Sequence, residues 1–527
     1  RRELRSALAA LRDDRRFVEK HGATRGVVLT GIGGIGKTAL AGRIIARLKE
    51  ETTDRWTVVV HEGELNLQSL LDSVARDVPD LAEPLARLAD EQKLAALRSV
   101  LDRVRLLLVL DDFERNLTAG GEEFREPSTA ALFAELAQHS GGRSRLLVTC
   151  RYPVPGSDDL HRVEVPPLSP AELRRMLLRM PMLRDLPVED RRLVVTTIGG
   201  HPRLIEFVDA LMRARRGRGL LHSVSEKLRA LAAAEGVALA RSPREAPTLS
   251  DATRQAMILG SRDILLEELL RLLTPRQREV LLQAAVSRIA MTIDDLGSAV
   301  DPPGDVREDA YRLIDLTLLS TVDGGATDDV VVHTWVAEAL TPHQGDQEPA
   351  RHARALDLRL RRIREDRETF DDYAECVRHL GVLGRLDELP SFVLTVSRYV
   401  GQLGTAELCV QARALLPDDH PLLTGFLDLE ATAATAAGQP ERARATAERL
   451  LALTTARADA NPDDLSLQRE LSISYDRLGD LAQAAGDAVA ARDWYMQGLE
   501  IRRRLVQADP GNVQFQRDLS VSYERLG

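Results

Sequence analysis

Gly31-Ile32-Gly33-Gly34-Ile35-Gly36-Lys37-Thr38 fits the pattern G-x-x-x-x-G-K-[ST] at every fixed position. Its flanks fit too. Val27-Val28-Leu29-Thr30 is a short apolar, β-branched run that reads as a buried parallel strand. The segment from Ala39 to Leu48 carries apolar residues at helical spacing. Strand, glycine-rich turn and helix is the setting in which this pattern holds phosphate. Glycines let the backbone curl without Cβ clashes, so several N–H groups point into one concavity. The helix N-terminus adds positive partial charge behind it. Gly31, Gly33, Gly34, Ile35, Gly36, Lys37, Thr38 and Ala39 are therefore the candidate phosphate-binding residues. In this pattern the lysine, here Lys37, reaches the β- and γ-phosphates, and the Thr38 hydroxyl holds Mg²⁺.

Further along, Leu106-Leu107-Leu108-Val109-Leu110-Asp111-Asp112 is an apolar run ending in two acids, the pattern of a Walker B strand. A parallel strand buried on both faces is apolar throughout, and an open α/β sheet places ligands at the carboxyl ends of its strands. Asp111 is assigned to Mg²⁺ and Asp112 to orienting the attacking water. Thr57–Val60, Arg145–Thr149 and Val163–Val165 complete a five-strand reading, with a lead-in helix over 1–20 and helices over 67–101 and 128–139. Arg151, after the fourth strand, is placed either to read a γ-phosphate or as an ordinary surface arginine. Ser169-Pro170-Ala171-Glu172 and Thr274-Pro275-Arg276-Gln277 are capping-box helix starts. Between them the pattern is helical to about 270, broken at Gly199-Gly200-His201-Pro202.

The 527 residues are too many for one core, and roughly three to five domains are expected. The net charge of −10 argues against a nucleic-acid-binding surface. Cys150, Cys376 and Cys409 are widely spaced and form neither a metal motif nor a disulfide framework, which fits a reducing cytoplasm. No apolar run approaches the ~20 residues of a membrane span, and no signal peptide is present. The chain starts at Arg1 rather than Met and stops at Gly527 in mid-pattern, so it reads as a fragment of a longer protein.

After Thr274 the order is helix, a short helix over 292–300, a helix over 306–318, a Gly324-Gly325 turn and Val330–His333, which is a winged-helix pattern. Its third helix carries Arg307, Glu308, Asp309, Arg312 and Asp315 without net positive charge, which favours a structural module over a DNA reader. From about 350 the chain is helical and repetitive. Leu471–Gly479 recurs as Leu519–Gly527 (519 − 471 = 48), and Asn461-Pro462 and Ala436–Gly438 recur at the same offset. Leu478, Gly479, Ala491, Tyr495 and Gly498 fall at tetratricopeptide spacing, small residues facing aromatic ones, in units longer than the usual ~34 residues.

With these pieces in this order, the chain resembles the STAND class of signalling ATPases in its NB-ARC-like form, followed by tetratricopeptide repeats. Thr149-Cys150-Arg151 resembles the family's sensor strand end, whose arginine reads the γ-phosphate. Gly200-His201-Pro202 resembles its Gly-x-Pro motif, which implies that Pro202 packs on adenine. Val332-His333-Thr334 resembles the winged-helix motif whose histidine touches the β-phosphate of ADP, and departs from it at Thr334, where aspartate is commonest. The resemblance implies an α/β P-loop NTPase with a doubly wound parallel sheet at 1–165, a helical lid at 166–270, a winged-helix domain at 271–345 and an all-α solenoid at 346–527. It implies ATP/ADP and Mg²⁺ as cofactors, with Asp112, Lys37 and Arg151 as catalytic residues. It also implies slow hydrolysis, a protein or peptide ligand on the repeats, a homo-oligomeric active state and an N-terminal effector. Two other readings are a transcriptional regulator with a DNA-binding effector outside this chain, and a repeat adaptor with a vestigial NTPase. Intact Lys37, Thr38, Asp111 and Asp112 speak against the second.

Overall fold

The structure, a computed structural model, describes residues 2–51, 55–189, 191, 200–214, 218–234, 251–322 and 327–526. Gly199 and the predicted Gly324-Gly325 turn lie outside them. The chain divides into two compact units, Arg1–Leu65 with Val100–Asp366, and Asn66–Ser99 with Arg367–Gly527.

In the first unit, strands β1 (Gly26–Thr30), β2 (Thr57–Glu62), β3 (Leu106–Asp111), β4 (Arg145–Cys150) and β5 (Leu160–Glu164) form one parallel sheet ordered β2-β3-β4-β1-β5. Every residue of β1, β3 and β4 is buried, as apolar runs without alternation require. The order sets the ends of β3, β4 and β1 side by side, so the paired acids, Arg151 and the glycine loop share one sheet edge. Helix Lys37–Lys49 buries Leu40, Ala41, Ile44 and Leu48, one stripe at helical spacing. Its apolar cluster includes Ala7, Leu8, Leu11, Val27, Leu29 and Leu147. The lead-in is two helices, Arg2–Leu11 and Arg15–His21, rather than one. Asp13 takes φ of 50°, and Asp14 then caps the N–H groups of Arg16 and Phe17.

The expected helical region follows as Pro170–Arg179, Pro181–Arg184, Pro202–Ala214, Arg218–Ala234 and Asp251–Leu270, and both predicted capping boxes are present. Then come helices Pro275–Ala285, Ile293–Ala299 and Arg307–Asp315 with strands β6 (Met291–Thr292), β7 (Ser320–Thr321) and β8 (Asp329–Val331), an antiparallel sheet ordered β6-β8-β7. One apolar cluster runs from Leu173 through Phe207, Leu265, Leu281 and Leu313 to Trp335 and Leu358. The expected division at 270/271 therefore falls inside a single core. β8 ends at Val331, and His333 is the N-cap of an unpredicted helix, Thr334–Leu340.

In the second unit, helices Leu422–Ala436, Pro440–Ala460, Leu465–Ala484, Ala488–Ala508 and Val513–Leu526 carry the repeat. Helix Pro440–Ala460 and helix Ala488–Ala508 start and end 48 residues apart (488 − 440 and 508 − 460), the offset of the sequence. A Cβ on Gly479 would stand 2.4 Å from the Tyr495 ring, so the small residue there is a packing requirement. The reading of 67–101 as one stretch of the nucleotide-binding domain needs correction. Three helices form, Leu67–Asp77, Pro79–Ala86 and Asp90–Arg103, and residues 66–99 belong to the repeat-bearing unit. Their polar side chains bind it: Ser69 donates to Asp371 at 2.7 Å, and Asp90 accepts from the backbone N–H groups of Gln402 (2.7 Å) and Leu403 (3.0 Å). An amphipathic pattern states that a helix buries one face, not which neighbour covers it.

Candidate nucleotide site

The loop after β1 is closed by Gly36, whose φ of 96° is the left-handed conformation that a Cβ disfavours. Lys37 opens the following helix with only 6% of its surface exposed. Its Nζ donates to the carbonyls of Gly31 (2.9 Å) and Ile32 (3.3 Å), which holds the ammonium across the mouth of the loop. Burial lowers its pKa, while the Glu114 and Asp112 charges act the other way. Gly33 and Gly34 are needed for close approach. A Cβ on Gly33 would come within 2.8 Å of the Trp335 indole, and one on Gly34 within 2.8 Å of the His201 ring. His201 Nε2 donates to the Gly33 carbonyl at 2.9 Å. Pro202 begins helix Pro202–Ala214, and its ring would lie 3.8 Å from a Cβ on Gly36.

Thr38 donates its hydroxyl to Asp111 at 3.2 Å, and Thr149 at the end of β4 donates to the same carboxylate oxygen. The Asp112 N–H in turn donates to Thr149 Oγ1 at 3.1 Å. Asp111 is buried, and burial together with the Asp112 charge pushes its carboxyl up. For Asp112, burial opposes the charge, but the charges of its neighbours, Arg115 and Lys37 among them, and the Thr334 hydroxyl outweigh it and hold the carboxyl below its usual range. Thr334 donates to Asp112 at 3.0 Å and accepts from Arg115 at 2.6 Å.

Arg151 is not a free surface side chain. Its Nε donates to Glu114 at 2.9 Å and its backbone N–H to the other oxygen of that carboxylate at 3.2 Å. Its two terminal nitrogens donate to both oxygens of Glu338, at 3.0 and 3.3 Å. His333 accepts at Nδ1 from the Trp335 N–H at 3.1 Å, and burial pushes its pKa down to about 4. At neutral pH the ring is uncharged and Nε2 carries its proton. Sequence reasoning missed Glu114, His201 as a loop contact, Trp335 and Glu338. Glu114 alone had a visible signal, three residues beyond the Walker B aspartate. The others come from segments more than 160 residues away.

The donor set fits a nucleotide phosphate chain with a divalent cation. A glycine-rich loop with an ammonium at its mouth suits anionic oxygen, and a hydroxyl beside a carboxylate is hard-oxygen ligation of the type Mg²⁺ takes. Thr38 and Asp111 would hold the cation, which would neutralise phosphate charge. Residues 3–202 match the family model described as Novel STAND NTPase 1. Over those residues the chain is similar to the STAND NTPases. No curated protein matches the chain. Among solved structures, a STAND protein with a tetratricopeptide repeat sensor from Pyrococcus horikoshii is 13% identical, with a TM-score of 0.46 over 97% of this chain and 79% of that one. Cdc6p from Pyrobaculum aerophilum is 16% identical, with a TM-score of 0.30 over 65% of this chain and 94% of that one. Both scores are below one half and add nothing to the fold already described. The chain thus carries a segment similar to STAND NTPases, followed by a repetitive helical region, and no helix among the described residues is long and apolar enough to cross a membrane.

Proposed function

We propose that this chain is an ATP/ADP-binding switch of the STAND class. In the closed state the helical-lid and winged-helix segments, 166–270 and 271–345, cover the NTPase loop with ADP bound. A protein or peptide ligand on the repeats favours opening, ATP replaces ADP, and the chains assemble to activate an N-terminal effector. The observation that carries this reading is the reach of helix Thr334–Leu340 into the site, where Thr334 donates to Asp112 and Glu338 takes Arg151. A two-state element biased from two sites is what such a switch requires.

Within it, Gly31 to Ala39 cradle the phosphates, Lys37 neutralises them, Thr38 and Asp111 take Mg²⁺, and Pro202 packs on adenine. The neutral His333 Nε2–H donates to the β-phosphate, a hydrogen bond to a charged partner worth about 1.5–3 kcal/mol. Asp112, its charge maintained by its neighbours, orients the attacking water, and Arg151 reads the γ-phosphate. Hydrolysis is slow, because Asp112 and Arg151 are both engaged by the covering helix. The three buried thiols fit the cytoplasm. Lys37→Ala should abolish binding of ADP and ATP in titration calorimetry, and unchanged affinity would remove the loop from the site.

A further inference from the structure

The contacts of Arg151 have two sides. Behind it, Glu114 holds Nε and the backbone N–H, and the Glu114 carboxylate is largely buried. In front, both terminal nitrogens face the Glu338 carboxylate in the bidentate geometry a guanidinium also offers to phosphate. Glu338 has a second cation within reach. Arg262 lies 4.0 Å from its Oε2 and is fixed by donating to the Trp335 carbonyl at 3.2 Å. The Arg151 side chain begins one residue past Cys150, which pairs with Thr30 at the end of β1. It therefore stands beside the strand that leads into the phosphate loop.

We propose that Glu338 is an internal stand-in for the terminal phosphate of ATP. ATP binding requires the Arg151–Glu338 pair to open, whereas ADP binding leaves it closed, and Glu114 is the positioning residue that holds Arg151 in place in both states. This rests on the nucleotide-switch reading above. Once released, Glu338 keeps Arg262 within 4.0 Å and is itself half exposed, so opening does not leave its charge without water or a cation. A terminal phosphate carries about two negative charges at neutral pH and competes well for the same fork of donors.

The test is the affinity of the whole chain for Mg·ADP and for a non-hydrolysable ATP analogue. It is measured in wild type, Glu338→Gln, Arg151→Gln, the double variant, and Glu338→Gln with Glu114→Gln. Glutamine keeps the shape of Glu338, whose side chain is 46% exposed, and removes its charge. Because the pair is solvent-accessible, roughly a fivefold tightening of the ATP analogue is expected in Glu338→Gln, with ADP affinity unchanged. The gain should vanish when Arg151→Gln is added, and also when Glu114→Gln is added. Melting curves for every variant, and Glu338→Asp as a shortened acid expected to keep wild-type preference, separate charge from misfolding. An ATP/ADP ratio in Glu338→Gln equal to wild type, or a gain that survives Arg151→Gln, overturns the proposal. A gain that survives Glu114→Gln removes Glu114 from its role. Failure of wild type to bind either nucleotide overturns the switch reading itself, whereas binding of both with an unmoved ratio overturns only this inference.

Discussion

Thr334 shows how a single position is set by its neighbours. The resemblance gave aspartate as the commonest residue there. In this chain its hydroxyl donates to Asp112, so an aspartate would set two carboxylates face to face. His201 is equally constrained. Its Nε2–H is spent on the Gly33 carbonyl, and burial, with Lys37 and Arg203 nearby, pushes its pKa from 6.5 down to about 4. The folded state therefore disfavours the protonated ring. Its contribution to stability is complete above pH 6.5 and is lost as the pH falls toward 4, amounting to about 2 kcal/mol by pH 5. Thermal melts of wild type and His201→Gln between pH 7 and 5 should show the steeper acid loss in wild type. Parallel pH profiles would exclude this role. None of this was legible in the sequence, because it depends on pairs of residues far apart along the chain. The loop residues were legible, because eight consecutive positions carry their own geometry.

At the scale of elements, what could be read depended on whether the signal was local. The strands β1, β3 and β4 announce themselves as uninterrupted apolar runs, and the capping boxes at Ser169 and Thr274 as four-residue patterns. The 48-residue offset of the sequence is also the spacing of helices Pro440–Ala460 and Ala488–Ala508. Helices Leu67–Asp77 to Asp90–Arg103 were read as helical but assigned to the wrong neighbours, since amphipathicity does not name its partner. The hydrogen bonds that Asp90 accepts from Gln402 and Leu403 mark the true one. The helix Leu389–Arg413 is broken at Gly401, with φ of 68°, and Asp90 caps the N–H groups that the break exposes. By analogy with other caps, Asp90→Ala should cost about 1 kcal/mol and accelerate amide exchange in residues 402–406. Unchanged exchange there would show that the break is stable without the cap.

At the scale of the whole molecule, the central claim is a nucleotide switch whose closed state is held by helix Thr334–Leu340. That helix touches the candidate site through Thr334, Trp335 and Glu338, and its capping His333 lies beside Asp112. The repeats would supply the second input. Their architecture is a stack of extended helical pairs, and the proposed ligand is a matter of side-chain chemistry that periodicity does not encode. The order of helices and short strands after Thr274 was visible in the sequence, but their shared apolar core with the preceding helices was not, because the residues that form it are spread from Leu173 to Leu358. The most direct test is hydrogen exchange of residues 334–340 in the intact chain with saturating Mg·ADP and then with a Mg-bound non-hydrolysable ATP analogue. Strong protection with ADP and faster exchange with the ATP analogue are expected. Equal protection of this helix with both nucleotides would contradict the central claim.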